Sequence, residues 1–347
     1  MKFFTKTIGC KVNQYETQLI REQLAAGGYI PVGEIEAADI CVINSCTVTH
    51  GADADCRQMV RKALKANPAM RIIITGCLAA TNPSSITKLS EQIEIYTDKN
   101  EIAKRLLSGS CLLPELISYF HGHTKAFVKI QDGCDAFCSY CIVPFARPKL
   151  WSKEKVKVME EIGALVRAGY KEIVLCGIRL GKYSSGHGGP RYGLVELMRD
   201  ILGAYPDQRL GLSSLEIMEI SDDFIQLLAD DDRISKHLHI PLQSGDDSIL
   251  NAMRRPYTTA EYEKKVLAIR TKVPGVILTT DLIVGFPGET DAHFTNTLGF
   301  LKNISFNKIH IFRYSPRSGA NAAARHDCVG STEIKRRSKI LEKLNQP

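Results

Sequence analysis

Short apolar runs alternate with helical repeats of apolar residues almost from one end of the chain to the other. In the first third, the strand-like runs are KFFTKTI, ICVIN, RIIIT and IEIYT. The helical stretches between them are QLIREQLAAG, CRQMVRKALKA and SSITKLSEQ. A strand–helix–strand series folds as a parallel sheet with helices on its faces. The sequence therefore predicts a doubly wound α/β domain over residues 1–107.

The same alternation returns after residue 125. Six strand-like runs, separated by amphipathic helical stretches, are AFVKIQDGC, KEIVLCG, RLGLSSLEI, HLHIPLQS, VILTTDLIVG and KIHIFRYS. A complete eight-unit (β/α) barrel takes about 250 residues, and the interval 126–328 is shorter. We therefore predict an open, six-unit partial TIM barrel at 126–328. Residues 108–125 are predicted to be a linker with one short helix, and residues 329–347 a basic amphipathic helix.

Location follows from what the sequence lacks. No signal peptide and no apolar run of membrane-spanning length is found, so we expect a globular, cytoplasmic protein with no membrane partner. Thiols are kept reduced in the cytoplasm. An uneven clustering of its 11 cysteines therefore indicates metal binding or catalysis rather than a disulfide framework.

Cys134, Cys138 and Cys141 lie together in DGCDAFCSYC, with no fourth cysteine or histidine close behind. A structural zinc site closes its shell with four ligands, commonly in two short pairs. A [4Fe-4S] cluster held by three cysteines instead keeps one iron open for chemistry. The remaining alternatives are a chance trio, or a zinc site completed by a distant residue such as Cys176 or His187.

A second trio is spread over the first domain. Cys10, Cys46 and Cys77 each follow a predicted strand, and parallel strands end at one edge of their sheet. We therefore expect the three thiols to converge, although three buried cysteines acting as small apolar residues would show the same pattern. The other five cysteines are interpreted as structural: Cys41, Cys56, Cys111, Cys176 and Cys328.

The C-x-x-x-C-x-x-C spacing after the first predicted barrel strand resembles the radical S-adenosylmethionine superfamily. Four segments together resemble its methylthiotransferase branch: TIGCKVNQYETQ, VINSCTVTHGAD, IIITGCLA and KIQDGCDAFCSYCIVPFAR. The resemblance spans nearly the whole chain. GCKVNQYET is most similar to enzymes that act on tRNA N6-threonylcarbamoyladenosine, because relatives acting on isopentenyladenosine or on a ribosomal protein usually carry other residues there.

This resemblance implies two [4Fe-4S] clusters and S-adenosylmethionine as cofactors. Cys134, Cys138 and Cys141 would hold the cluster that binds S-adenosylmethionine and generates a 5′-deoxyadenosyl radical. Cys10, Cys46 and Cys77 would hold an auxiliary cluster that carries the sulfur. The methylthio group would then be placed on C2 of an adenosine in the anticodon stem-loop of tRNA. Neither the electron donor nor the sulfur source is identified by the resemblance.

Several residues of the barrel are predicted to hold S-adenosylmethionine. By resemblance, Tyr140 would lie against the adenine, although ordinary core packing explains it as well. At strand ends, Gly177 would allow close backbone approach, while Ser213, Glu216 and Gln243 would offer hydrogen bonds. Each of these four is equally well explained as a turn glycine or a helix cap.

RNA binding is predicted for the run RPKLWSKEK. Arg147, Lys149, Lys153 and Lys155 surround the only tryptophan, Trp151, and the chain carries a formal charge of +7. Cations that meet phosphates and an aromatic ring that stacks on a base are typical of RNA-binding surfaces. A solvated basic helix start is the alternative, and a zinc-containing RNA-binding protein without catalysis is the alternative for the whole chain. We expect His121 and His123 to be solvated.

Two departures from the family pattern stand out. Pro148 follows PFAR where glycine is usual, which predicts an extended Arg147. Relatives usually continue after the basic helix into a small β-barrel that binds tRNA, whereas the sequence ends at Pro347. Either the sequence is truncated there or RNA is bound without that barrel.

Overall fold

The computed structural model describes residues 1–107, 112–186 and 192–345. The interpretations of Cys111 as structural and of His187 as a distant zinc ligand fall outside the described residues.

Strands and helices follow one another in the predicted order. The strands are β1 (Lys2–Thr7), β2 (Ile30–Pro31), β3 (Ile40–Ser45), β4 (Arg71–Gly76), β5 (Ile93–Ile95), β6 (Ala126–Lys129), β7 (Gln131–Asp132), β8 (Trp151–Ser152), β9 (Glu172–Cys176), β10 (Ser184–Ser185), β11 (Tyr192–Gly193), β12 (Arg209–Leu212), β13 (His237–His239), β14 (Ile277–Val284) and β15 (Lys308–Arg313). The α-helices are α1 (Lys11–Ala26), α2 (His50–Ala66), α3 (Cys77–Thr81), α4 (Ser84–Thr87), α5 (Asn100–Leu106), α6 (Val143–Ala146), α7 (Lys155–Arg167), α8 (Leu194–Ala204), α9 (Asp222–Asp230), α10 (Asp247–Ala252), α11 (Thr259–Lys272), α12 (Asp291–Ile304) and α13 (Ser331–Leu344).

The chain divides into two compact units. The first comprises Met1–Lys129 and Ile142–Ile173, and the second comprises Ile130–Cys141 and Val174–Pro347. This division differs from the domain boundaries drawn from the sequence at residues 107, 125 and 328, which remain predictions.

The first unit contains a parallel five-stranded sheet in the order β2-β1-β3-β4-β5. Alternate residues of β3 point to opposite faces. Ile40 and Val42 pack in a core with α1 and α5, whereas Cys41 and Ile43 pack in a second core with α2. Because both faces are covered, all six residues of β3 are buried. The predicted doubly wound sheet is confirmed.

In the second unit, β13, β14 and β15 form a parallel sheet. Strand β9 extends into this unit, where the Ser213 amide beyond β12 donates to the Leu175 carbonyl of β9 over 2.9 Å. The six predicted strands are all present, as β6, β9, β12, β13, β14 and β15, and the five helical stretches predicted between them are α7, α8, α9, α11 and α12. The α/β class predicted for this part of the chain is therefore confirmed.

Helix α13 is an integral part of the second unit. It packs on β15, and Ile334 fills the space that the missing side chain of Gly285 leaves open. Arg337 is buried and forms a 2.6 Å ion pair with Glu289. On its outer surface, Lys335, Lys339 and Lys343 are exposed at four-residue spacing, so one basic stripe of the predicted helix faces solvent.

The predicted linker is anchored to the first unit. The Ile117 amide donates to Glu161 over 2.8 Å, and both Ile117 and Phe120 are buried. Residues 112–125 contain neither helix nor strand, so the predicted short helix is absent from this described part of the linker. Among the described residues, no helix has the length and apolar character needed to cross a bilayer.

Candidate functional site

Cys10, Cys46 and Cys77 lie at the carboxyl ends of the neighbouring strands β1, β3 and β4. Cys10 is the residue before α1, Cys46 follows β3 directly, and Cys77 begins α3. The pKa of the Cys46 thiol is raised to about 11, chiefly by burial and in smaller part by the nearby thiols of Cys77 and Cys10. The structure thus brings together the three cysteines that the sequence placed at strand ends.

Two glycines allow the strand ends to approach one another. Gly9 and Gly76, which precede Cys10 and Cys77, have φ values of +104° and +92°. A Cβ atom at Gly9 would lie 2.7 Å from Cβ of Cys46, and one at Gly76 would lie 2.3 Å from the Ser45 carbonyl oxygen. Any larger residue would therefore separate the thiol-bearing loops.

A buried amide fixes the same loops. The Nδ2 atom of Asn13 donates to the carbonyls of Ile8 (2.8 Å) and Ser45 (3.1 Å), which lie just before Cys10 and Cys46. The Asn44 side chain donates in turn to the Asn13 carbonyl over 2.9 Å. These contacts link β1, β3 and the start of α1. The sequence analysis assigned no role to Asn13. A polar residue on the buried face of a helix nevertheless indicates a side chain that makes structural hydrogen bonds.

Arg147 holds Asn13 in place. Its Nη2 atom donates to Oδ1 of Asn13 over 2.7 Å, so the amide oxygen is satisfied while both amide hydrogens face backbone carbonyls. Arg147 also forms a two-pronged ion pair with the buried Glu16 at 2.9 Å. Desolvation opposes ionisation of Glu16, but Lys129, Lys99 and Arg147 outweigh it and hold its pKa well below the ordinary value.

The expectation that Arg147 and Lys153 contact RNA is corrected by these ion pairs. Both side chains are buried, and Lys153 contacts Glu161 (2.5 Å) and the Tyr15 hydroxyl (2.9 Å). A buried carboxylate requires a counter-charge, which the sequence pattern of a basic run does not reveal.

Lys149, Trp151 and Lys155 remain on the surface. Trp151 is 42% exposed, and Nζ of Lys129 lies 5.7 Å from the centroid of its ring. Pro148 acts partly as predicted: α6 ends at Ala146, and Arg147 leaves the helical region with φ −138° and ψ 65°.

Cys134, Cys138 and Cys141 lie in the segment after β7, in the second unit. Gly133 and Phe137 have positive φ values of 83° and 45°, so the chain turns sharply on both sides of Cys134. Ser139, between the second and third cysteines, anchors the loop: its amide donates to the Met253 carbonyl (3.0 Å) and its hydroxyl to the Ala252 carbonyl (2.7 Å). Desolvation raises the pKa of Cys134, whereas Arg179 lowers it.

Arg255 is a site residue that sequence reasoning missed. Its guanidinium forms an ion pair with Glu216, and Nη1 lies 3.6 Å from Sγ of Cys138. Tyr140 packs beside Met253 and Phe286 and is one of the groups that interact electrostatically with Arg255. Arg255 therefore connects two predicted cofactor residues, Tyr140 and Glu216, to the second cysteine. No local pattern identifies it, because it lies 117 positions from Cys138.

Gly177 and Ser213 also meet, since the Gly177 amide donates to the Ser213 hydroxyl over 3.3 Å. A Cβ atom at Gly177 would approach Gln131 to 2.9 Å. Gln131 donates to the carbonyls of Asp132 and Gly133, which fixes the backbone leading into Cys134. Gln243, with φ +72°, is engaged through its backbone with Asp281 and Ile283 at β14.

Arg179 also contacts the cysteine segment. Its Nη1 atom forms a 2.9 Å ion pair with Asp135, the residue after Cys134, and its other nitrogen pairs with Glu219. Arg179 therefore adds a contact to the segment that carries the trio.

The three thiols of each trio are ligands of the kind that a [4Fe-4S] cubane takes. Within residues 1–107, 112–186 and 192–345, no three His, Cys, Asp or Glu side chains are gathered closely enough to bind one metal ion. A cubane spreads its cysteine ligands over three separate irons and uses sulfur ligands alone. Each trio supplies three thiols, which match that requirement.

Comparisons with known proteins agree with this geometry. Residues 2–98 match the model described as "Uncharacterized protein family UPF0004", and residues 128–301 match the radical SAM superfamily. The threonylcarbamoyladenosine tRNA methylthiotransferase of Bacillus subtilis (strain 168) is 37% identical over 342 residues, which cover 93% of this chain and 75% of the relative. The chain belongs to the radical SAM methylthiotransferase family. A methylthiotransferase of this family uses S-adenosylmethionine and two [4Fe-4S] clusters.

Other relatives are named for two different modified adenosines of tRNA. The threonylcarbamoyladenosine tRNA methylthiotransferase of Aquifex aeolicus (strain VF5) is 34% identical, covering 100% of this chain and 88% of the relative. The tRNA-2-methylthio-N(6)-dimethylallyladenosine synthase of Geobacillus kaustophilus (strain HTA426) is 33% identical, covering 99% and 69%. These relatives of the methylthiotransferase are all named for the modification of tRNA.

The fold is also shared with a solved structure. The radical S-adenosylmethionine methyltransferase TsrM from Kitasatospora setae superposes with a TM-score of 0.64 at 13% identity, covering 91% of this chain and 76% of TsrM. This likeness confirms the radical SAM fold of the methylthiotransferase. At 13% identity it supports the fold alone.

Proposed function

We propose that this methylthiotransferase converts N6-threonylcarbamoyladenosine next to the tRNA anticodon into its 2-methylthio derivative. The observation that carries the proposal is the pair of separate thiol trios, one at the strand ends of the first unit and one in the segment after β7 in the second. The substrate is supported by the GCKVNQYET segment and by relatives named for threonylcarbamoyladenosine at 34% to 37% identity. Because tRNA is the substrate, we place the protein in the cytoplasm.

Cys134, Cys138 and Cys141 would hold the cluster that binds S-adenosylmethionine, and Cys10, Cys46 and Cys77 would hold the auxiliary cluster. When bound, these groups supply the radical chemistry and the sulfur. Arg255 places a fixed positive charge beside Cys138, which favours added negative charge there. Glu216 orients that guanidinium. Asn13 and Arg147 hold the loops of Cys10 and Cys46.

Nucleoside mass spectrometry tests the substrate directly. In tRNA from cells that lack the gene, we expect 2-methylthio-N6-threonylcarbamoyladenosine to disappear and its unmethylthiolated precursor to accumulate. Restoring the gene should restore the modified nucleoside. Loss of the 2-methylthio isopentenyl nucleoside instead, or of a modification on a ribosomal protein, would show the same chemistry on another target.

The surface around Trp151 provides the second part of the proposal. Replacing Trp151 with alanine should weaken binding of anticodon stem-loop RNA by roughly 1 to 3 kcal/mol, because an exposed ring stacks on a base. Phenylalanine should retain most of the affinity.

Replacing Lys149 and Lys155 with glutamine should instead flatten the dependence of log affinity on log salt, by about 0.7 for each phosphate that is no longer neutralised.

The matched control for Trp151 is Leu150, which is also exposed but has no aromatic ring. Leu150→Ala should bind RNA as the unmodified protein does. Equal loss of binding in Leu150→Ala and Trp151→Ala would mean that the loop, rather than stacking by the ring, determines affinity.

A further inference from the structure

A cavity of about 220 Å³ lies along α1 in the first unit. Its wall is formed by β1, by one face of α1 and by the anchored linker, and it extends from Gly9 to Arg21. None of its lining residues is an aspartate or a glutamate. The wall of the cavity therefore contains no carboxylate that could pair with its one arginine, Arg21.

Arg21 is a half-buried cation without an acceptor. Within the described residues its side chain makes no hydrogen bond or ion pair, and its Nε atom is buried without a partner. His121 and His123 lie in the same wall. Arg21 is close enough to His121 to be the main cause that lowers the pKa of that imidazole. Unsatisfied donors of this kind require an explanation, and an anion in the cavity supplies one.

The other end of the cavity adjoins the auxiliary cysteines. Gly9 belongs to the wall, and a side chain there would touch Cβ and Sγ of Cys46 at 2.7 and 3.0 Å. Between the two ends, the side chains of Thr5 and Gln14 line the cavity and make no hydrogen bond within the described part of the chain. One continuous polar cavity thus runs from the Cys10 and Cys46 loops to a guanidinium.

We propose that this cavity binds the threonyl carboxylate of the substrate's N6 side chain on Arg21, with the adenine ring beside the auxiliary cysteines. The inference rests on the proposed function and deepens it. A carboxylate and a guanidinium form strong charge-assisted hydrogen bonds. An apolar dimethylallyl group gains nothing from a cation and would leave the polar wall unpaired. Arg21 is therefore a residue that selects the anionic substrate over the apolar one.

RNA binding by the complete protein, reconstituted with iron and sulfide, tests the assignment without turnover. Three anticodon stem-loops are compared: one with N6-threonylcarbamoyladenosine, one with its carboxylate as a methyl ester, and one with isopentenyladenosine. The starting protein should prefer the acid over the ester by about tenfold or more, as expected for one charged hydrogen bond. Arg21→Gln should remove this preference, and Arg21→Lys should retain part of it.

Arg61 on α2 provides the matched control, because Arg61→Gln changes the net charge equally at an exposed position of the same unit. It should leave the preference unchanged. Thermal melting and iron content establish that each variant is folded and loaded. Equal weakening of all three RNAs by Arg21→Gln would make Arg21 a phosphate contact and overturn the proposal. An unchanged preference in Arg21→Gln, or none in the starting protein, would also overturn it.

Turnover on the same RNAs separates this inference from the proposed function. Methylthiolation of the isopentenyl RNA alone, together with an acid preference that depends on Arg21, would refute the proposed substrate while leaving an anion site at Arg21. Methylthiolation of the acid RNA without any acid preference would support the proposed function and refute the cavity assignment.

Discussion

Replacing Cys134, Cys138 or Cys141 with alanine is expected to abolish the formation of 5′-deoxyadenosine from S-adenosylmethionine. Each thiolate would hold one iron, so the loss of one ligand leaves a cluster with two cysteines and no stable open corner. The loop itself should persist, because Ser139 anchors it to Ala252 and Met253 through contacts that do not involve sulfur. Chromatographic measurement of 5′-deoxyadenosine after reduction with dithionite provides the test.

Cys328 is the control for this series, since it is an exposed cysteine of the same unit outside both trios. Cys328→Ala should cleave S-adenosylmethionine at the unaltered rate. About half the iron should remain in each variant of the barrel trio, in the auxiliary cluster. Continued formation of 5′-deoxyadenosine in a verified triple alanine variant would refute the assignment of these cysteines.

The strands that carry the auxiliary cysteines could be predicted because their signal is local. Each of β1, β3 and β4 is a short apolar run followed at once by its cysteine, and parallel pairing then brings the ends together. SSITKLSEQ was predicted as a longer helix than α4, which ends at Thr87. Its serines and threonines favour turns over helix, as shown by the bond from the Gln92 amide to the Ser90 hydroxyl.

Helix α10 was not predicted from the sequence, although an aspartate suited to an N-cap, Asp246, stands directly before it. The Asp246 side chain accepts from the Ile249 amide over 3.1 Å, the contact expected of an N-cap residue. The helix has only six residues, too few to show a clear apolar period. A short helix of this kind is found from its cap rather than from its pattern.

Charged residues of the site could not be predicted from spacing. Arg147 and Lys153 belong to a basic run that looks solvated, yet each pairs with a carboxylate in a buried position. Glu16, the partner of Arg147, lies 131 positions away in the sequence. The close spacing of cysteines indicates a shared cluster because one cluster must be reached by all of them. The partners of an ion pair can lie far apart in the sequence, so no local pattern predicts them.

Replacing Cys10, Cys46 or Cys77 with alanine is expected to stop methylthiolation while slow cleavage of S-adenosylmethionine continues. The two trios belong to different compact units, so loss of the auxiliary ligands should leave the barrel site loaded. About half the iron should be lost. Iron analysis, 5′-deoxyadenosine formation and nucleoside mass spectrometry, measured on the same preparation, give the three readouts.

Cys56 supplies the contrast within the same unit. It lies on α2 and is fully buried in the core, and burial raises the pKa of its thiol to about 12. Cys56→Ala removes one buried sulfur, so it should lower the free energy of unfolding by about 1 kcal/mol while keeping all iron and all methylthiolated product. Cys46→Ala should show the reverse, with a loss of iron and product out of proportion to its effect on stability. If Cys46→Ala forms methylthiolated product at the normal rate, Cys46 does not hold the sulfur-carrying cluster.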